Sequence, residues 1–315
     1  KALLNSDFLL GVDDFQRIGG LRFKLQKEAD FLNNDPEFIT PPWTSLRNLE
    51  YASIKYENDR FQQDEESLKW FKMLLAPGSS LGGARPKAGI KDPDEALWIA
   101  KFPSKNDEID VGGWEMVINQ LAKMSGITVP EARAQRFSQN HHTFLTKRFD
   151  RTKSGKTIHF ASAMTMLHHK DGDDHTEGLS YLEMIPFILK YCSNPNWNLE
   201  ELWRRIIFSI LIKNTDDHLR NHGFILSDHG WQLSPAYDIN CNPYGTGLNQ
   251  NIDEFNNDLD IGLGLSVAEY FRVEISKANE IIDRIRKSIQ QLPGIANDYK
   301  IPKSEIDFIA DTLAI

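Results

Sequence analysis

The chain has 315 residues, of which 40% are hydrophobic and 26% are charged, and its formal net charge is −9. This balance is typical of a globular protein and excludes the collagen-like, disordered and disulfide-framework classes. The acidic charge also excludes a chain that binds nucleic acid by bulk electrostatics, and leaves open a DNA complex formed through a basic partner.

Cysteine content and apolar runs indicate the compartment. No uninterrupted apolar run approaches the roughly 20 residues that a membrane-spanning helix needs, and Ser209 interrupts the densest stretch, 206–212. The N-terminus shows no secretory signal. Two cysteines, Cys192 and Cys241, are too few for a disulfide framework or a four-thiolate zinc site. These features predict a cytoplasmic protein with no membrane segment.

The first half of the chain mixes predicted helices and strands around a glycine-rich loop at 78–87. The patterns predict, in chain order, a helix at 65–76, a strand at 97–102, a helix capped by Asp110 and ended by Gly126, and strands at 132–137 and 143–149. This half is therefore expected to be α+β.

The second half is predicted to be mostly helical. The patterns predict, in chain order, a helix at 179–191, a helix capped by Asn198 with Glu201 in a capping box, a hairpin of strands 223–226 and 231–233, a polar surface loop at 240–260, and helices from Ser266. From Ile206 onward the second helix is apolar almost all round, which places it in the centre of its lobe. The predicted division is an N-lobe at 1–150 and a C-lobe at 151–315.

A burst of polar residues directly follows that apolar helix. Asp216 precedes Asn221 by five residues, and Asp238 follows the predicted hairpin. The spacing from a kinase catalytic Asp to its metal-binding Asn is also five residues. One Asp that orients the attacking hydroxyl, with an Asn and a second Asp as Mg²⁺ ligands, is the arrangement that phosphoryl transfer needs. His218 lies inside the cluster and is expected to orient the loop.

The first half supplies groups that could hold a nucleotide. Lys101 shares a strand face with Leu97 and Ile99, so its ammonium needs phosphates or a carboxylate as partner. Glu115 lies in the first turns of the next helix, where the ion-pair Glu of a kinase would lie. The glycine-rich loop could let backbone N–H groups approach phosphates.

Each signal also has an ordinary structural interpretation. A glycine-rich loop is often only a turn, and Lys101 could be an edge-strand lysine that opposes aggregation. Glu115 could lie on a solvated helix face, and 216–218 could simply end a helix. The order of the four pieces favours the kinase interpretation. The histidines have no metal-binding helical spacing and are expected to be structural or exposed.

The motifs resemble those of the HipA family of serine/threonine kinase toxins. The matching segments occur in the family's order and extend over nearly the whole chain. They are residues 10–14, 20–23, 80–87, 214–221 and 233–238. The resemblance implies a divergent, two-lobed, protein-kinase-like fold, with a mixed N-lobe and a mostly helical C-lobe.

Carried over by position, the resemblance assigns roles to individual residues. Asp216 becomes the catalytic residue, with His218 beside it, and Asn221 and Asp238 become the Mg²⁺ ligands. The implied ATP-binding residues are Ser80, Gly82, Gly83, Ala84 and Lys87 of the phosphate loop, Lys101 with Glu115, and Lys147 to Phe149 at the adenine-binding hinge. Ser80 matches the serine that family members autophosphorylate to inactivate themselves, and Ser79 is the second choice.

The resemblance also implies partners. Known members phosphorylate aminoacyl-tRNA synthetases, which halts translation and favours persistence, and they pair with a helix-turn-helix, HipB-like antitoxin through which they reach DNA indirectly. Longer members carry a small N-terminal subdomain, and we expect this sequence to lack it. It is therefore either a fragment or similar to shorter HipT-type kinases, in which a separate small protein takes that place.

Two other functions share these motifs. A kinase-like enzyme that phosphorylates a small molecule would need the same residues, so the motifs alone do not separate it from a protein kinase. A non-enzymatic component of a DNA-binding repressor complex is the second alternative. The intact set of Lys101, Asp216, Asn221 and Asp238 argues against this alternative.

Overall fold

The structure is a computed structural model that describes residues 4–32, 40–57, 74, 85–137 and 141–313. The chain forms two compact units, Lys1–Gly113 with Glu131–His159, and Trp114–Pro130 with Phe160–Ile315. Sequence patterning gave no sign that 114–130 groups with the second half, and the division into lobes at residue 150 stays a prediction. Apart from Leu74, the predicted helix 65–76 and loop residues 78–84 lie outside the described residues.

An antiparallel four-stranded sheet in the order β1-β2-β4-β3 forms the centre of the first unit. Its strands are β1 (Lys87–Lys91), β2 (Leu97–Lys101), β3 (Ala132–Gln135) and β4 (Thr143–Lys147). The described helices are α1 (Asn5–Gly11), a 3₁₀ turn at Trp43–Ser45, α2 (Leu46–Glu57), and the first residues of α3 (Val111–Met124). The predicted strands are confirmed, with ends two residues earlier in β3 and β4.

The two faces of this sheet differ. On one face Ile90, Trp98 and Leu145 are fully buried and pack in a cluster with Leu46 and Leu49 of α2. The other face carries Lys87 and Lys101, because side chains alternate along a strand. The apolar residues of one face therefore form a core with α2, whereas the second face combines the two lysines with buried Leu97 and Phe144.

The second unit contains a three-stranded antiparallel sheet in the order β5-β6-β7, surrounded by helices. The strands are β5 (Phe160–Ser162), β6 (Gly223–Ser227) and β7 (Gly230–Leu233). The helices after α3 are α4 (Ala163–Met166), α5 (Met184–Tyr191), α6 (Pro195–Ile212), α7 (Ile261–Ser266), α8 (Ile275–Ile289), α9 (Leu292–Asp298) and α10 (Lys303–Thr312), with 3₁₀ turns at His175–Glu177, Tyr181–Glu183 and Ala268–Phe271. The hairpin and the α+β fold class are confirmed.

Helix α6 is the buried centre of the second unit, as its apolar pattern predicts. The predicted start of the helix is wrong, because Asn194 and not Asn198 caps it and Pro195 occupies its first turn. Asn198 lies inside the helix, fully buried, and its Oδ1 accepts a hydrogen bond from the backbone N–H of Leu233 at 2.6 Å. Its amide therefore joins α6 to the end of the hairpin.

Three other boundaries also differ from prediction. The segment 179–191 is not one helix, because Ser180 caps a 3₁₀ turn before α5 begins at Met184. Residues 240–260 contain no helix or strand, as expected, but Gln250 and Ile252 are fully buried, so this loop is not confined to the surface. Helices resume at Ile261 and not at Ser266.

Helix α3 begins and ends where its capping residues predict. Oδ1 of Asp110 accepts a hydrogen bond from the N–H of Gly113 at 3.0 Å, which caps the start. Gly126 has φ of +85°, the left-handed conformation that glycine favours after a helix. Within the described ranges, no helix is long and apolar enough to cross a membrane.

Candidate functional site

The polar loop, residues 214–221, begins where α6 ends. Lys213 adopts a left-handed conformation with φ of 54°, and its N–H reaches the carbonyl of Ile210. The N–H of Asn214 then donates to the carbonyl of Ser209 at 2.8 Å. These bonds satisfy carbonyls of the last helical turn and direct the chain from the buried helix into the loop.

The two adjacent aspartates of the polar loop have different environments. Asp216 is exposed, whereas Asp217 is 5% exposed. Oδ2 of Asp217 accepts hydrogen bonds from the hydroxyls of Tyr181 at 2.7 Å and Ser209 at 3.2 Å, and its Oδ1 lies 2.9 Å from Nε2 of His222. Of these two aspartates, Asp216 is therefore the one with an accessible carboxylate.

The pKa of Asp217 reflects these partners. Burial opposes its ionisation, because a charge is poorly solvated in the interior. The electrostatic attraction of His222 and the hydrogen bonds from His222, Tyr181 and Ser209 outweigh burial and hold the pKa of Asp217 below its ordinary value. The buried carboxylate is thus a charged, hydrogen-bonded group of the interior.

Asn221 closes the polar loop onto Asp216. Its Nδ2 donates to the carbonyl of Asp216 at 3.0 Å, and its backbone N–H donates to the carbonyl of His218 at 2.8 Å. The amide is 7% exposed, and donation through Nδ2 leaves its Oδ1 as the acceptor end. The loop thus brings together the two residues that the five-residue spacing singled out.

His218 lies at the turn between Asp216 and Asn221. Its backbone N–H donates to the carbonyl of Asp216 at 3.0 Å, and its Nε2 is 3.3 Å from Nη2 of Arg220. Arg220 in turn forms an ion pair with Asp171. The backbone of His218 shapes the turn, and the orienting role of its side chain stays a prediction.

The segment before Asp238, residues 234–237, is held against the polar loop. The hydroxyl of Tyr237 donates to the carbonyl of Arg220 at 2.6 Å, and Nη2 of Arg205 donates to the carbonyl of Ser234 at 2.8 Å. The N–H of Ala236 donates to the carbonyl of Thr128 at 2.7 Å. The two motifs that are separated in sequence therefore meet within the second unit.

Asp238 itself has an unusual backbone conformation. Its φ is 58°, in the left-handed region that residues other than glycine rarely adopt. Such strained positions persist where the surrounding structure imposes them, and they cluster at functional sites. The hydrogen-bonded segment 234–237 directly precedes this position.

Two lysines of the first unit lie directly opposite each other. Lys87 of β1 pairs with Lys101 of β2, so both side chains point from the same face of the sheet. Nζ of Lys101 lies 5.7 Å from the ring centroid of Phe144, which shares this face. The register therefore places two positive charges side by side on this face of the sheet.

Lys147 lies elsewhere on this sheet. It pairs with Trp98 of β2, so its side chain points to the face opposite that of Lys101. Its Nζ is 3.6 Å from Oε2 of Glu131 and 5.8 Å from the ring of Trp98. If the segment of Lys147 and the half-buried Phe149 binds a nucleotide together with Lys101, it does so through its main chain.

The remaining predicted residues are placed as follows. Glu115 is buried in α3, and its pairing with Lys101 stays a prediction. Ser79, Ser80, Gly82, Gly83 and Ala84 lie outside the described residues. Arg85 and Lys87 continue the chain from that loop, and Arg85 pairs with Asp107. In the described part of the chain, no group of three or more His, Cys, Asp or Glu side chains could hold a metal ion.

Sequence reasoning missed the buried partners of the polar loop. Tyr181, His222 and Gln250 carried no motif, although Nε2 of Gln250 donates to the carbonyl of Asp217 at 2.8 Å. Ser209 did leave a signal, because a serine within an otherwise apolar helical run needs a hydrogen-bond partner when it is buried. That partner is Asp217.

Two curated proteins are similar to this chain in sequence. A Haemophilus influenzae protein named "Putative kinase" is 27% identical over 308 residues, which cover 85% of this chain and 90% of that protein. A Sinorhizobium fredii protein, also named a "Putative kinase", is 32% identical over 221 residues, 65% of this chain and 48% of its own length. The chain thus spans about half of the second relative.

Solved structures share the fold. The HipA, HipB and operator DNA complex of the Shewanella oneidensis MR-1 toxin–antitoxin system contains a chain with a TM-score of 0.64 and 18% identity, matched over 90% of this chain and 72% of that one. The Helicobacter pylori proinflammatory kinase CtkA matches with a TM-score of 0.53 and 16% identity, over 74% and 88% of the two chains.

The sequence profile of the HipA-like C-terminal domain matches residues 79–292. That range includes the described lysines of the first sheet, the polar loop and Asp238, in the order that the motifs predicted. It covers more than half of the chain. The chain therefore belongs to the family of HipA-like C-terminal domains.

Proposed function

We propose that the chain is an ATP- and Mg²⁺-dependent kinase that phosphorylates serine or threonine hydroxyls of a protein. The observation that carries the proposal is the joining of the polar loop to the segment before Asp238 by the Tyr237–Arg220 hydrogen bond. Family membership and the names of the two relatives support phosphoryl transfer as the reaction.

Asp216 is the proposed catalytic residue. It is exposed at the end of a rigid helix, so a substrate hydroxyl can reach its carboxylate and donate a hydrogen bond to it. Asp217 cannot take this role because Tyr181, Ser209 and His222 already occupy its oxygens. Orientation of the hydroxyl for in-line attack on the γ-phosphorus is the main task of such a residue.

Asn221 and Asp238 fit a Mg²⁺ ion by their donor chemistry. Mg²⁺ prefers hard oxygen ligands and is held by one or two carboxylates with phosphates and water. Asn221 points its Nδ2 at the carbonyl of Asp216, so its carbonyl oxygen is the end left to ligate. When bound, the ion would neutralise charge on the ATP phosphates.

Lys87 and Lys101 are the proposed phosphate-binding lysines. Their opposed positions place two positive charges on one sheet face, which supports the binding of phosphate oxygens there. Glu115 is proposed to orient Lys101. The main chain of 147–149 is proposed to contact the adenine. The backbone of the phosphate loop is proposed to approach the phosphates at Gly82, Gly83 and Ala84. The acceptor hydroxyl then receives the γ-phosphoryl group, and ADP leaves.

We further propose that this kinase is the toxin of a toxin–antitoxin module. The Shewanella oneidensis complex contains HipA with HipB and operator DNA, which supports a helix-turn-helix antitoxin as partner of this chain. An aminoacyl-tRNA synthetase is the proposed substrate, and a separate small protein that replaces the N-terminal subdomain is a further proposed partner. Autophosphorylation of Ser80, with Ser79 as second choice, is proposed to inactivate the kinase.

Phosphoproteomics after brief expression tests the activity and identifies the acceptor. Wild type and Asp216→Asn are expressed in parallel, and phosphosites that appear only with wild type are the expected result. In a second arm, purified wild-type protein is incubated with labelled ATP and a lysate, and the molecules that become labelled are identified. Label on a metabolite and not on protein would replace protein by a small molecule as acceptor, and no transfer in either arm would refute the kinase.

Mass spectrometry of protein expressed with its antitoxin tests the proposed inactivation. Phosphate on Ser80, with lower activity in the phosphorylated fraction, is the expected result. Ser80→Ala should remain active, and Ser79→Ala is the matched control. Phosphate on Ser79 alone would move the site, whereas undiminished activity of phosphorylated protein would refute the switch.

A further inference from the structure

We propose that Asp217 is a positioning residue that holds the main chain of the polar loop so that Asp216 faces the substrate. The inference rests on the proposed kinase function and goes beyond it, because it assigns a role to the second acid of the Asp216–Asp217 pair. Asp217 acts through the backbone it anchors and touches no reactant.

The side chain of Asp217 is held from three directions. Tyr181 belongs to a 3₁₀ turn before α5, Ser209 to the last turn of α6, and His222 to the start of the hairpin. Tyr181 is fully buried and its hydroxyl lies 2.7 Å from Oδ2 of Asp217. These contacts fix the orientation of the carboxylate, because any rotation would leave a buried donor without its hydrogen-bond acceptor.

The main chain at Asp217 is held as well. Nε2 of Gln250, which is fully buried, donates to the carbonyl of Asp217 at 2.8 Å. Gln250 comes from the segment after Asp238, far along the chain from Tyr181. Both the side chain and the peptide group of Asp217 are therefore fixed by elements that are distant in sequence.

The position of Asp216 follows from this anchor. The two residues share a peptide bond, and the carbonyl of Asp216 accepts a hydrogen bond from Nδ2 of Asn221 at 3.0 Å. Loss of the anchor would let the backbone shift at the catalytic residue. A misplacement of about 1 Å at a reacting group can reduce the rate about 100-fold.

The test separates the turnover rate from nucleotide binding. Asp217→Asn keeps the shape of the side chain but replaces one acceptor oxygen by an NH₂ group, which cannot accept the hydrogen bonds of the surrounding donors. We expect its kcat to fall about 30- to 100-fold while KM for ATP changes by less than about twofold, because the lysines of the first unit are untouched. Tyr181→Phe removes one donor and should lower kcat about three- to tenfold.

Two further variants make the result specific. Tyr270→Phe removes the hydroxyl of a tyrosine that is 58% exposed, and it should leave both parameters unchanged. The double variant Tyr181→Phe with Asp217→Asn should be no slower than Asp217→Asn alone, because both substitutions break one network. Thermal unfolding of each variant, with activity normalised to folded protein, separates positioning from loss of fold.

Each outcome decides the inference. Wild-type kcat in Asp217→Asn, additive losses in the double variant, or a loss that matches the unfolded fraction would overturn it while the kinase proposal stands. If wild type transfers no phosphate, the proposed function fails. Amide hydrogen exchange of 214–221 then decides the anchor, with faster exchange in folded Asp217→Asn expected and unchanged exchange overturning it.

Discussion

The polar loop of the second unit and the lysine face of the first are built in different ways. Lys87 and Lys101 are placed by strand register, in which neighbouring strands and alternation determine where each side chain points. Asp216 is placed by buried contacts of Asp217 with Tyr181 and Gln250, which lie far away in the chain. The two lysines of the β1–β2 hairpin thus follow a local rule, whereas the charges of the loop depend on hydrogen bonds between distant segments.

The difference affects how each region responds to substitution. A lysine on a strand can be replaced with little effect on the fold, so the effect should appear in nucleotide binding. A residue that anchors the loop affects the geometry of its neighbours, so the effect should appear in turnover. The following substitutions would break or sharpen this contrast.

The largest effect should come from Asp216→Asn. The variant keeps the size of the side chain and removes the charge that accepts the hydrogen bond of the hydroxyl. Phosphoryl transfer should fall by about 100- to 10,000-fold, with unchanged thermal unfolding because Asp216 is exposed. Initial rates with labelled ATP measure it, and activity close to wild type would remove Asp216 from its assigned role.

Asp238→Asn should come next. The loss of one carboxylate weakens a site that has only Asn221 as its other proposed protein ligand, so activity should fall about 100-fold at low Mg²⁺ and recover in part at high Mg²⁺ or with Mn²⁺. A metal titration of the initial rate measures this. A loss that is equal at every metal concentration would contradict a ligand role.

A buried polar cluster around Asp110 in the first unit is expected to contribute to stability and offers a comparison with the anchor of the polar loop. Oδ2 of Asp110, a fully buried residue, lies 2.5 Å from Nδ1 of His142. Burial opposes the ionisation of Asp110, but His142 and the N–H of Gly113 outweigh it and hold the pKa at about 2. Because this value is below the ordinary 3.8, the stabilisation is complete above pH 3.8 and disappears as the pH falls towards 2.

Asp110→Asn should therefore lower the free energy of unfolding by about 2 kcal/mol at neutral pH. Urea unfolding at neutral pH measures this difference, and the gap to wild type should narrow as the pH approaches 2. Asp94→Asn, at an exposed position of the same unit, is the matched control. Equal stability of wild type and Asp110→Asn at neutral pH would show that the cluster contributes nothing.

The smallest effect should come from Lys101→Met. Removal of one of the two charges should weaken ATP binding about tenfold, since one charge-assisted contact with phosphate is lost. Lys91→Met is the control, because Lys91 lies on the same strand face as Lys87 but pairs with Glu95. Equal ATP affinity in the two variants would contradict a phosphate-binding face.

Much of the architecture could be predicted from local patterns. The strands of the first sheet, the caps of α3 and the burial of α6 followed from alternation, capping residues and apolar spacing. The start of α6 could not, because Asn194 and Asn198 are both good capping residues and only the position of Pro195 in the first turn distinguishes them. The buried part of 240–260 was also missed, since its polar residues bond inside the protein.

The candidate site divides in the same way. The sequence by itself determined which residue types occur at kinase spacing, Asp216, Asn221 and Asp238, because spacing is a property of the chain. Tertiary structure decided which of the two aspartates is exposed, and that the side chain of Lys147 points away from Lys101. Burial and hydrogen-bond partners cause the first outcome and strand register causes the second, and both arise only when distant segments meet.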